Sequence, residues 1–97
     1  MATYIVLANF TEQGVRNARD TVKRAEAFKD VARKYGANVK EICWTLGRYD
    51  IIAICEGPDD ASVTALSLAL ASQGNVRTET LRAFGAAEMK QILEKIA

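Results

Sequence analysis

Two hydrophobic periods alternate along this chain. Short runs rich in β-branched and aromatic residues are separated by longer stretches in which apolar residues recur every three or four positions. Residues 3–9 (TYIVLAN) predict a first strand. Residues 11–20 (TEQGVRNARD) have no clean period and contain Gly14, so they read as a connector or an irregular first turn. A helix then starts with Thr21 as N-cap, whose hydroxyl can accept an orphan backbone N–H. Ala25, Phe28, Val31, Ala32 and Tyr35 share one of its faces, and Gly36 ends it in the left-handed conformation. Residues 39–46 (VKEICWTL) and 50–56 (DIIAICE) predict strands two and three, joined by a hairpin loop of Gly47, Arg48 and Tyr49. Pro58 at the first helical position, flanked by Asp59 and Asp60, opens the next helix, because proline loses no needed N–H there and acids suit the positive end. Gly74 closes that helix. Residues 75–84 (NVRTETLRAF) predict a polar, threonine-rich fourth strand. Residues 86–96 predict a last helix with Met89, Ile92, Leu93 and Ile96 in one stripe.

The order β-α-β-β-α-β-α is that of an α+β, ferredoxin-like βαββαβ unit followed by a C-terminal helix, a single domain over residues 1–97. Strands one and three are then central, and two and four are edges. Both central strands are apolar on both faces: Ile5 and Leu7 oppose Tyr4 and Val6, while Ile52 and Ile54 oppose Ile51 and Cys55. Helices cover one face of such a sheet, so the other needs a cover of its own. Residues 61–76 carry no charge, and Leu68 lies opposite Leu66 and Leu70 around the helix. Together these features predict a homodimer or higher homo-oligomer with two sheets face to face.

Composition sharpens this picture. Of 97 residues, 49% are hydrophobic, the upper end of globular usage, which suits surface hidden against a partner. The net charge of +1 gives no pull toward nucleic acid or an anionic membrane. Neither a charged-then-apolar leader nor a bilayer-spanning run is evident, and Cys43 and Cys55 fall inside apolar runs, so the expectation is a cytoplasmic protein with reduced thiols. The chain has no histidine. That excludes Ser-His-Asp and Cys-His arrangements, haem held by a histidine of this chain, and histidine-ligated zinc. Two cysteines alone fall short of a structural zinc site, the 57–60 segment (GPDD) repels phosphate, and its acids are too few for a calcium loop. No cofactor and no metal are therefore expected.

The segments GRYDIIAICEGPDD and GNVRTETLRAF resemble the GYD-domain family, named for a Gly-Tyr-Asp signature. Here an arginine interrupts it, giving Gly47, Arg48, Tyr49 and Asp50. The resemblance runs from TYIVLANFTEQG to the last helix. It implies the dimeric α+β barrel fold and assigns no activity; barrels of that group include cofactor-free monooxygenases, haem-degrading enzymes and stress-induced proteins, an analogy of fold alone.

Five side chains are candidates for ligand contact: Tyr4, Arg24, Trp44, Tyr49 and Asp50. Tyr49 and Asp50 sit where a hairpin re-enters a strand. There an aspartate commonly binds backbone N–H groups and a tyrosine covers a sheet edge. The functional alternative puts them at the rim of a cavity between sheet and helices, with Tyr49 as donor and Asp50 as acceptor or base. Arg24 falls between Phe28 and Val31 on the apolar face of its helix. It requires a carboxylate (Glu56, Asp50 or Glu79), a route to solvent past a narrow stripe, or a ligand anion. Both thiols read as small core hydrophobes, and Trp44 as core or interface. The row Thr78, Thr80, Arg82 on the fourth strand suits pairing between subunits more than anion binding. The function expected is a homo-oligomeric, non-catalytic small-ligand-binding or structural module, taking an apolar or anionic molecule. A cofactor-independent monooxygenase- or isomerase-like enzyme using Tyr49 or Asp50 for proton transfer is the alternative. A third reading is a regulatory subunit that docks on another protein through residues 61–73.

Overall fold

The computed structural model describes residues 1–96. Its elements are β1 (Ala2–Phe10), α1 (Glu12–Arg16), a 3-10 turn (Ala18–Asp20), α2 (Thr21–Lys34), β2 (Asn38–Trp44), β3 (Ile51–Gly57), α3 (Asp60–Ser72), β4 (Val76–Ala83) and α4 (Ala86–Leu93). The four strands form one antiparallel sheet in the order β2-β3-β1-β4, the expected ferredoxin-like arrangement with β1 and β3 central.

Register decides which residues meet. Tyr4, Val6 and Ala8 of β1 lie opposite Cys55, Ala53 and Ile51 of β3, and opposite Arg82, Thr80 and Thr78 of β4. Paired residues point to the same side, so this set faces α2 and α3. Tyr4, Val6, Ala8, Ala53 and Cys55 are accordingly buried, together with Ala32 of α2 and Val63 and Leu66 of α3. Each large apolar side chain in this layer contributes about 1.5–3 kcal/mol by leaving water. The alternate residues Ile5, Leu7, Ile52 and Ile54 face the other way and stay only part-buried.

Several local expectations are corrected. Residues 11–20 are helical: Thr11 caps α1 by accepting from Gly14 N, and the 3-10 turn follows. Gly14 is there for close approach, since a Cβ on it would stand 1.9 Å from Asn75 O. Thr21 is the first residue of α2 and not its cap. Asp20 holds the cap position without a side-chain bond, and the Thr21 hydroxyl accepts from Trp44 Nε1 at 3.0 Å instead. Pro58 stands outside α3; Asp59 is the N-cap, its carboxylate accepting from Ser62 N at 2.7 Å. β2 stops at Trp44 and β3 starts at Ile51, which lengthens the hairpin loop, and α4 ends at Leu93. Gly36 and Gly47 do adopt positive φ, 76° and 115°.

Candidate functional site

Between the sheet and the helices α2 and α3 lies a cavity of about 110 Å³. Its origin is visible in the side chains. Ala8 and Ala53 occupy the centre of the sheet where neighbouring positions carry Val6 and Ile51, and Ala25 faces them from α2. Small residues on three walls leave space that Phe28, Val31 and Leu66 enclose but do not fill. Residues 21, 24, 28 and 31 all line it, the i, i+3, i+7, i+10 row of one helix face.

Among the described residues, Arg24 is the one charged residue on the wall. Its Nη1 donates to the Asn17 carbonyl at 2.8 Å, while Nη2 is buried and meets no partner. Of the partners the sequence offered it, no carboxylate forms an ion pair with it among the described residues. The other polar wall residues, Thr21, Gln73 and Asn75, gather at the same end, where α2 begins and α3 gives way to β4.

The remaining sequence-derived candidates stand elsewhere. Trp44 is 41% exposed on β2 and meets the cavity only indirectly, through Thr21. Tyr49 O–H points to Glu79 at 3.5 Å, and Arg48 lies over the Tyr49 ring at 5.8 Å. Glu79 pairs with Leu7 and so belongs to the sheet face turned away from the helices. Asp50 accepts from Phe10 N at 2.9 Å, donates its own N–H to Ala8 O and receives Thr45 N on its carbonyl. Tyr49 and Asp50 are thus brought together with the ends of β1 and β2, and Arg24 is not in their company.

Tyr4 lines a second, wider groove between α3 and β4, with Asp60, Leu68, Thr80 and Arg82. Its hydroxyl donates to Asp60 Oδ1, and Arg82 lies over its ring at 5.6 Å. The hydrogen bond to the Asp60 carboxylate, helped by burial, holds the phenol above its ordinary pKa. Arg82 also covers Phe84 at 4.5 Å and pairs with Glu88 at 3.2 Å.

The two thiols part company. Cys55 is buried at 1% exposure, and desolvation pushes its pKa from 9.0 to about 11, which makes it a poor nucleophile. Cys43 is exposed, against the expectation of a core position. It pairs with Ile52 and so projects from the face that no helix covers. Among the described residues no group of three or more His, Cys, Asp or Glu side chains is placed to hold a metal ion, and no helix is long and apolar enough to cross a membrane.

Sequence reasoning missed Ala8, Ala25 and Ala53 as the makers of the cavity, and Gln73 and Asn75 as its polar end. The signal available was alanine at central strand positions, but it acquires meaning only once register sets the alanines opposite each other.

The model of the family described as "GYD domain" matches residues 4–93. A curated relative from Thermus thermophilus, the "Glutamine synthetase and cystathionine beta-lyase binding protein", is 38% identical over 93 residues, covering 92% of this chain and 95% of the relative.

Proposed function

This chain belongs to the GYD-domain family, and from that premise we propose that it is a non-catalytic, self-associating binding module that docks on a metabolic enzyme. The observation that carries the reading is the uncovered sheet face. Ile5, Leu7, Ile52 and Ile54 are part-exposed there, Leu81 is 43% exposed, and no helix among the described residues lies on them. A contiguous apolar patch of this kind on a small domain marks an interaction surface.

A second copy of the chain fits it best. Four strands of about seven residues offer a face of roughly 19 by 23 Å, about 440 Å². A stable interface takes about 800 Å² per partner. The C-terminal helix α4 offers further apolar area, with Met89 and Leu93 43% and 51% exposed. A polar rim of Thr3, Asn9, Arg77 and Glu79 around the apolar centre suits such an interface.

Pairing through that face leaves the outer side of α3 free. Residues 61–72 of α3 carry no charge, and Leu68 is 66% exposed beside the open edge of β4. The relative's name supports a protein partner, and for this chain the corresponding partners are a glutamine synthetase and a cystathionine β-lyase. Binding rather than turnover is supported by the engagement of Tyr49 and Asp50 with Glu79 and the Phe10 backbone.

The test has two parts. Native mass spectrometry of the purified chain is expected to give a dimer or a multiple of it. Biolayer interferometry against both enzymes from the same organism is expected to give saturable binding that Leu68→Glu abolishes without dissolving the oligomer. A monomer, or no binding to either enzyme, overturns the proposal.

A further inference from the structure

Neither docking surface uses the cavity between α2, α3 and the sheet, and the cavity presents an unsolved electrostatic problem. A guanidinium whose Nη2 is buried and unpartnered has lost its hydration at that atom. Among the described residues, the hydrogen bond from Arg24 goes through Nη1 to a neutral carbonyl, Asn17 O. No aspartate or glutamate lines the cavity. A buried N–H without an acceptor is costly, and a guanidinium is satisfied best by a carboxylate oxygen in the plane of its N–H bonds.

The rest of the wall specifies what that carboxylate is attached to. Beyond the polar end, the lining is alanine, valine, leucine, isoleucine and phenylalanine. The volume, 110 Å³, is somewhat below the ~150 Å³ of an apolar cavity known to hold benzene. It therefore has room for a hydrocarbon group of about four or five carbons. An apolar body with charge at one end also matches the wall, where Thr21, Arg24, Gln73 and Asn75 cluster at one pole. Their other polar atoms are in part engaged: Thr21 Oγ1 takes Trp44 Nε1, and Asn75 Oδ1 takes Gln13 Nε2 at 3.1 Å.

We propose that this cavity is a binding site for a short aliphatic carboxylate, with the hydrocarbon among Ala8, Ala25 and Ala53 and the carboxylate on the Arg24 guanidinium, which turns to meet it. The site is independent of the docking reading, so either stands without the other. Arg24 gives the ligand one charge-assisted hydrogen bond. The alanines set the size of the hydrocarbon.

The experiment titrates the purified chain with 4-methylpentanoate, using calorimetry and the emission of Trp44, the single tryptophan, whose Nε1 bond to Thr21 couples it to the wall. Saturable binding of the acid is expected, with the isosteric 4-methylpentanamide at least tenfold weaker. Arg24→Met, which keeps the apolar stem, is expected to weaken the acid at least tenfold. Ala53→Leu fills the cavity and is expected to abolish binding. Circular dichroism checks that each variant folds; should Ala53→Leu not fold, Ala25→Leu narrows the space from the helix side. The proposal is overturned if the acid does not bind, if the folded variants bind it like the parent, or if sulfate binds as well as the acid, which would mark a rim charge without a pocket.

Discussion

Asp50 terminates the β1–β3 ladder. Its backbone N–H donates to Ala8 O, its carbonyl receives Thr45 N, and its carboxylate takes Phe10 N at 2.9 Å. That carboxylate stands in for the strand that has run out, giving a main-chain donor its partner. Asp50→Ala is therefore expected to destabilise the fold by about 1–3 kcal/mol, the cost of stranding a part-buried donor. Asp50→Asn, which keeps an acceptor oxygen, is expected to lose less than about 1 kcal/mol on the same scale. Urea unfolding followed by circular dichroism compares the two, and equal losses would show that charge and not hydrogen bonding matters there. The spot looked like a site in the sequence because Gly, Tyr and Asp also make up a turn. Gly47 at φ 115° is needed for the bend, and Thr45 Oγ1 donates to the Tyr49 carbonyl to close it.

At the scale of the element, α1 has the most unexpected role. This five-residue helix is fastened to the α3–β4 turn by Thr11 N to Asn75 O at 3.1 Å, Thr11 Oγ1 to Gly74 O at 2.5 Å and Gln13 Nε2 to Gln73 O at 3.0 Å. The approach is so close that only glycine fits at position 14. Gly14→Ala must push backbone away from backbone, and a loss of about 2–3 kcal/mol is expected, toward the upper range for overpacking. Thermal melting measures it. A fall in Tm no larger than that of an exposed Ser or Thr substitution would refute the close-packing account. Because Gln73 and Asn75 also form the polar pole of the cavity, α1 holds that pole in place from outside.

The whole molecule is longer than its chain length requires. A compact chain of 100 residues has a radius of gyration of about 13 Å, and this one has 14.6 Å with extents of 52 × 30 × 18 Å. Toward the C-terminus α4 follows β4, with Phe84, Met89 and Leu93 43–51% exposed. An amphipathic helix of eight residues is not stable alone, so its apolar stripe calls for a surface that the same chain does not provide. Under the proposed self-association, Ile54→Glu, at the centre of the uncovered sheet face, is expected to yield monomer while preserving the far-ultraviolet spectrum. Sedimentation velocity reads the outcome, and an unchanged oligomer would remove that face from the interface.

Local chemistry determined much of this protein from the sequence alone. Strand alternation, glycines at Gly36 and Gly74, and acids at the start of α3 are short-range effects, so element order, the ferredoxin-like topology and the apolar second face were all legible. So was the oddity of Arg24, because a charge on an apolar helix face violates the helical period whatever surrounds it. Tertiary structure alone decided the rest. α1 is too short to show a period, and its helix forms because the turn at residues 73–75 receives it. Cys43 and Cys55 sit in similar apolar runs, yet register sends one to the open face and buries the other. The cavity depends on alanines from β1, β3 and α2 meeting across some tens of residues of chain. Packing, which no local pattern encodes, decides whether such a meeting is filled or left empty.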